Sequence, residues 1–94
     1  MNDINKILAE RGARYGDFKT HARITQRLKS IININIKGRT GFNDYHLEAL
    51  DMIAHKLGRI INGDPNYIDS WADIAGYAQL IVKELEKENN ANTD

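Results

Sequence analysis

The stretch His46–Leu80, HLEALDMIAHKLGRIINGDPNYIDSWADIAGYAQL, decides the fold. Each half carries apolar side chains at three- and four-residue steps, which is the spacing of one face of an α-helix. Between the halves, Asn62-Gly63 suits a helix C-terminus with a left-handed residue, and Pro65 prevents the first helix from continuing. The stretch therefore predicts two helices joined in a hairpin.

The apolar faces of these two helices follow from the spacing. The first helix, predicted from Asn43 or Asp44 to about Ile61, has the stripe Leu47, Leu50, Ala54, Leu57 and Ile61. The second helix, predicted from between Asn66 and Asp69 to about Glu88, has the stripe Tyr67, Trp71, Ile74, Ala75, Ala78, Ile81, Val82 and Leu85. We expect the two stripes to form the core of the hairpin.

Two further helices are predicted before the hairpin. The first has Asn2 or Asp3 as its N-cap and ends near Gly12. In the segment RYGDF, Gly16 allows a tight turn and Asp17 is predicted to cap the second helix, with Tyr15 and Phe18 packed together. The apolar face of that second helix is formed by Phe18, Ala22, Thr25, Leu28 and Ile32.

Residues 33–43 break the helical period, because asparagine alternates with isoleucine and two glycines follow. We expect a loop there, with an extended piece at 34–37. The sequence thus predicts an all-α domain, a small four-helix bundle-like fold over residues 1–88. The polar tail at 89–94 is predicted to be disordered.

Composition narrows the class of protein. The chain has 94 residues, which is enough for one domain, and so small a core would gain from burial in an oligomer. Thirteen basic residues balance thirteen acidic ones, which argues against a nucleic-acid partner for Arg23, Arg27, Lys29, Lys37 and Arg39. There is no cysteine and no apolar run long enough for a membrane span. We expect a cytoplasmic protein without a membrane partner.

Glu48, Asp51 and His55 lie on one shoulder of the third helix, beside its apolar stripe. Carboxylates at this spacing suit Mg²⁺, which takes one or two of them together with water and phosphate oxygens. His55 is then a candidate catalytic base. The ordinary alternative is a solvated helix face on which His55 pairs with Asp51.

Asp69 and Asp73 lie on a second face of the fourth helix, and they are the other candidate metal ligands. Their neighbours on this face are Ala72, Gly76, Tyr77 and Leu80. A glycine inside a helix costs about 1 kcal/mol relative to alanine, and close approach of another backbone is one reason for it. We therefore predict that these four neighbours form a subunit interface. The two aspartates have an alternative role, which is to stabilise the N-terminus of the helix.

Lys56 and Arg59 are candidate phosphate-binding residues. They are three residues apart on the side of the third helix that the sequence predicts to be exposed, where both can approach one phosphate. Their alternative role is simply to keep this surface soluble.

The stretches ERGARYGDF (Glu10–Phe18) and EALDMIAHKLGRIINGDPNYIDSWADIAGYAQL (Glu48–Leu80) resemble a family of small phage and prophage proteins of unknown function. This resemblance implies a helical fold and a phage or prophage origin, hence the cytoplasm of the host cell. A more distant resemblance is to the all-α nucleoside triphosphate pyrophosphatases of the MazG type. It rests on Glu48-x-x-Asp51 followed by Asp69 and Asp73, and implies Mg²⁺ on these four residues.

Two functions therefore stay open. The first is a phage accessory protein of unknown biochemical role, a helical homo-oligomer such as a homodimer that acts through contacts with phage or host proteins. The second is a Mg²⁺-dependent nucleotide pyrophosphohydrolase that cleaves nucleoside triphosphates.

Overall fold

Four α-helices make up the protein in a computed structural model that describes residues 2–91. They are α1 (Asn2–Tyr15), α2 (Phe18–Ile36), α3 (Asp44–Asn62) and α4 (Ile68–Ala91). The all-α fold and the α3–α4 hairpin are thereby confirmed. None of the helices in the described part of the chain is long and apolar enough to cross a membrane.

Helix α3 is the centre of the fold, because it is the helix that packs against all three others. Every residue from 49 to 60 is buried or half-buried, so α3 is covered on nearly all sides. Its most buried positions are small or branched: Ala49, Ala54, Gly58 and Ile60. Gly58 has no room for a side chain, since a Cβ there would collide with Thr25 of α2. Small residues on α3 thus let its neighbours approach closely.

The bundle is open. Within residues 2–91, no Cα atom of α2 comes within 8 Å of one in α4, so these helices flank α3 without meeting. The chain measures 57 × 26 × 26 Å. Its radius of gyration is 16.5 Å, whereas a compact domain of about this length has about 13 Å.

Helix α4 packs on α3 through a narrower face than the sequence predicts. Its buried or half-buried residues between Ile68 and Leu85 are Ser70, Ile74, Tyr77, Ile81 and Glu84. The predicted stripe is therefore right at Ile74 and Ile81. It is wrong at Trp71, Ala75, Ala78, Val82 and Leu85, which are exposed. The apolar surface of α4 is wider than the part that α3 covers, so the rest of it stays exposed.

Other boundaries also differ from prediction. Helix α1 continues through Gly12 to Tyr15, and α2 continues to Ile36, so the loop predicted for residues 33–43 begins only at position 37. The reason at 33–36 is that continued backbone hydrogen bonding outweighs the weak helix preference of the Asn-Ile alternation. Helix α4 includes residues 89–91 of the predicted tail. Residues 92–94 of that tail lie outside the described residues.

The turn between α1 and α2 is clasped by the C-terminal end of α3. The Asn62 side-chain amide donates hydrogen bonds to the carbonyl oxygens of Tyr15 at 3.0 Å and Asp17 at 2.8 Å. The backbone N–H of Asp64 donates to the Arg14 carbonyl at 2.7 Å. The motifs RYGD and NGD therefore belong to one structural unit, although 47 residues separate Tyr15 from Asn62.

Gly16 is required in this clasp for two reasons. Its φ is +79°, in the left-handed region, and a Cβ there would collide with Asn62. Asp17 caps α2 as predicted, accepting a hydrogen bond from the Thr20 backbone N–H at 2.9 Å. The predicted packing of Tyr15 on Phe18 is wrong, since the Tyr15 ring meets Tyr67 edge-on at 5.9 Å and Phe18 is exposed.

We predict that Gly16→Ala lowers the free energy of unfolding by about 2 kcal/mol or more, because it adds both left-handed strain and a collision. Gly12→Ala is the matched control, since Gly12 is helical and nothing lies within 4 Å of its Cβ position. That change should stabilise the protein by up to about 1 kcal/mol. Urea unfolding at one protein concentration measures both. Equal effects of the two substitutions would contradict the clasp.

Candidate functional site

A cavity of about 520 Å³ lies where the turn between α1 and α2 meets α3. Its volume is in the range of about 300–1,000 Å³ that small-molecule sites occupy. We call it the histidine cavity, and its walls are Leu8, Arg11, Gly12, Tyr15, Gly16, Asp17, Phe18, His21, His55 and Arg59. The clasp described above fixes the position of one wall against the other.

Two histidines from different helices meet in this cavity. The ring of His21 on α2 lies 4.7 Å from that of His55 on α3, nearly perpendicular to it. His21 Nε2 lies 3.4 Å from His55 Nδ1 and 3.4 Å from Thr25 Oγ1, distances of weak hydrogen bonds. If Nε2 of His21 carries its proton and donates to His55, then His55 carries its own proton on Nε2. That second N–H has no protein partner among the described residues.

Both rings favour the neutral state. Burial is the main cause that lowers the pKa of His55 to about 4, and the charges of Arg59, His21 and Lys56 lower it further. Burial also lowers the pKa of His21, which is 6% exposed. Two adjacent rings that resist protonation therefore line a cavity that also contains arginines.

The cationic groups of the cavity have no carboxylate partner among residues 2–91. Arg59 stacks its guanidinium over the Tyr15 ring at 4.1 Å. Arg11 on α1 has no ion pair or hydrogen bond in the described structure. The acid in the wall, Asp17, accepts hydrogen bonds from Thr20 at 2.9 and 2.6 Å. These bonds lower the pKa of Asp17.

The predicted Mg²⁺ ligands are not brought together in one chain. Across the described residues, no group of three or more histidine or acidic side chains is placed to hold a metal ion. Asp73 forms an ion pair with Lys56 at 2.9 Å, and Asp69 accepts a hydrogen bond from the Tyr67 hydroxyl at 2.8 Å. Glu48 is exposed, and Asp51 is half-buried. Within one chain, Asp73 and Asp69 are therefore engaged by Lys56 and Tyr67.

The two predicted phosphate-binding residues make different contacts. Lys56 is not on an exposed surface, because its side chain is only 12% exposed and is held by Asp73 of α4. Arg59 lines the histidine cavity together with the predicted base His55. Tyr77, predicted for the interface, is half-buried on the face of α4 that packs on α3. Ala72, Gly76 and Leu80, the other predicted interface residues, are exposed.

Sequence reasoning missed Arg11, Tyr15 and His21 as members of one site. His21 did carry a signal, since it precedes Thr25 by four residues and therefore lies on the face of α2 that was predicted to be buried. A histidine on such a face invites the question of what it meets. The sequence around Arg11 contained no such signal, because the place of Arg11 in the cavity depends on α1 continuing through Gly12.

The fold and the cavity together define a small, open all-α domain with a histidine–arginine cavity. This chain belongs to a family characterised by a domain of unknown function, DUF6378, whose family model matches residues 1–85. No curated protein and no solved structure matches it.

The low pKa of His55 makes stability depend on pH. Below pH 6.5 the unfolded chain takes up a proton on this ring, whereas the folded chain resists it down to about pH 4. Above pH 6.5 the ring is neutral in both states and does not lower the free energy of unfolding. As the pH falls from 6.5 toward 4, proton uptake favours the unfolded chain, so the free energy of unfolding decreases. We predict that wild type loses more unfolding free energy across this window than His55→Gln, measured by urea unfolding at several pH values. Parallel pH profiles for the two proteins would contradict this prediction.

Proposed function

We propose that this protein works as a helical homodimer that acts through protein contacts, with α4 as the surface on which two copies meet. The exposed apolar stripe of α4 carries the proposal. The stripe consists of Trp71, Ala75, Ala78, Val82 and Leu85, at alternating steps of four and three residues. This is the spacing with which one helix packs along another in a two-stranded seam.

The large side chains of this stripe are exposed to solvent. Trp71 is 52% exposed, Val82 44% and Leu85 40%. None of the five residues in the stripe is charged. A contiguous apolar surface of this kind is typical of an interaction site.

The amount of accessible surface supports a second copy as the occupant. A compact monomer of this mass exposes about 5,500 Å², whereas this chain exposes 7147 Å². The excess is about 1,600 Å² per chain, and a standard interface buries about 800 Å² per partner. One chain therefore has more than enough spare surface for a stable dimer.

The order of residues in the stripe also suits self-association. In an antiparallel pair with its two-fold axis at Ala78, Trp71 faces Leu85 of the second copy, and Ala75 lies opposite Val82 to within one residue. The small Ala75 thus meets the larger Val82, and Ala78 meets its own copy at the axis. Such self-complementarity is the requirement for a two-fold interface.

The face that carries Gly76 offers a second contact surface on α4. Gly76 has open space around its Cβ position, so nothing within the chain requires a glycine there. Together with Ala72 and Leu80 it forms a shallow depression beside Asp73. A phage or host protein is the partner that we propose for this face. The phage context enters only through the resemblance of the Glu10–Phe18 and Glu48–Leu80 stretches.

The alternative function, Mg²⁺-dependent pyrophosphate release from nucleoside triphosphates, has less support. It needs acidic side chains gathered around one point, and Lys56 holds Asp73 instead. We therefore favour protein interaction.

Ala78→Glu tests the homodimer. It places two buried carboxylates opposite each other at the axis, so we expect the dimer to dissociate at least about 100-fold more readily. Sedimentation equilibrium should give wild type twice the chain mass of 10.7 kDa and shift Ala78→Glu toward a single chain.

Gln79→Glu is the matched control, since it adds the same charge to the neighbouring, exposed position of α4. It should leave the dimer intact. A wild-type mass of 10.7 kDa at every concentration would reject the homodimer. A dimer that Ala78→Glu leaves unchanged would reject the α4 stripe as its interface.

A further inference from the structure

The geometry of the histidine cavity points to a binding site for a phosphate monoester attached to a flat ring, the chemistry of a nucleoside monophosphate. This inference does not rest on the homodimer, because the cavity is formed by α1, α2 and α3 of one chain, and α4 contributes no residue to it.

Charge is the first argument. Arg11 and Arg59 enter the cavity from helices α1 and α3 and have no carboxylate partner in the described chain. Asp17 is the acid in the walls, so the lining carries a net positive charge with neutral histidines. Guanidinium groups bind phosphate oxygens in pairs of parallel hydrogen bonds, which favours a phosphate over a halide or a neutral ligand.

The imidazoles supply a further polar contact. Nε2 of His55 has no protein partner among the described residues, and it donates to a phosphate oxygen whenever it carries a proton. A bound dianion would also oppose the effect of burial and of Arg59 on the ring. Binding should therefore raise the tendency of His55 to take up a proton.

Flat apolar surfaces are the reason to expect a ring beside the phosphate. Phe18 begins α2 at the cavity rim and is 79% exposed, which leaves most of its ring free to stack on a ligand. Leu8 and Tyr15 line the cavity from α1. Small-molecule sites have this composition, mostly apolar walls with a few convergent polar groups.

The site is held in place before any ligand arrives. Asn62 fixes the turn between α1 and α2 through two hydrogen bonds, and Arg59 is already stacked on Tyr15. Less conformational freedom is therefore lost when a ligand binds, which favours affinity.

The test is a titration with adenosine 5′-monophosphate, inorganic phosphate and adenosine, each up to about 1 mM, the upper end of usual enzyme–metabolite affinities. The ring C–H signals of His21 and His55 in the NMR spectrum report binding at the cavity. We expect the monophosphate to bind most tightly and both histidines to shift. Inorganic phosphate should bind more weakly at the same place, and adenosine should bind least.

Arg11→Gln should weaken binding of the monophosphate roughly tenfold, since it removes a charge-assisted pair of hydrogen bonds. Its side chain has no partner within the described chain, so the fold should be unaffected. Arg23→Gln is the control, because it removes the same charge from an exposed position of α2 outside the cavity. We expect it to leave affinity within about twofold, since exposed charges are screened.

Three results would overturn the inference. The first is no histidine shift with any of the three compounds. The second is equal weakening by Arg11→Gln and Arg23→Gln, which would reduce the effect to overall charge. The third is equal affinity for phosphate and monophosphate, which would remove the ring from the site. Each result stands whatever the mass of the protein in solution, so it is separate from the test of the homodimer.

Discussion

Close packing around α3 is the constraint on which the rest of the structure depends. This helix contacts each of the other three, and its small residues Ala49, Ala54 and Gly58 let them approach. At Gly58, Thr25 and His21 of α2 lie directly against the α3 backbone. A helix buried on nearly all sides must be apolar or small around most of its circumference, and α3 meets that requirement.

The same constraint leaves a cavity and an exposed apolar stripe in the single chain. Because α2 and α4 lie on different sides of α3 and do not meet, each buries only one side. The histidine cavity lies where α1, α2 and α3 meet, at one end of the α2–α3 contact. On α4 the open side is the stripe from Trp71 to Leu85, whose covering we assign to a second copy. One chain therefore has the helices of a bundle, but α2 and α4 do not pack together to close it.

The sequence was sufficient for the elements that local signals define. Asp17 and Asn43 are N-caps as predicted, and the NGDP turn ends α3. It was insufficient wherever the outcome depended on which face found a partner. The wide apolar arc of α4 predicts burial without saying how many helices are available to bury it. Periodicity in one helix contains no information about the position of another.

The site illustrates the same limit. Asp69 and Asp73 have suitable chemistry and spacing for a metal, but their side chains bind Tyr67 and Lys56 instead. The residues that do converge, Arg11, His21 and His55, come from three helices and share no sequence motif. The packing of α2 on α3 at Gly58 and the clasp of Asn62 on the turn after α1 bring them together, and the clasp joins residues half the chain length apart.

The most direct test of the central claim, that the α4 stripe meets its own copy, uses the absence of cysteine from the chain. Ala78→Cys places one thiol at the proposed two-fold axis, where the two Cα atoms should approach within the roughly 4.4–6.8 Å that a disulfide needs. Mild oxidation should convert Ala78→Cys almost completely into a covalent dimer, visible by non-reducing electrophoresis. Gln79→Cys, on the adjacent side of the helix, should stay largely monomeric. Equal cross-linking of the two variants, or none in either, would contradict the account.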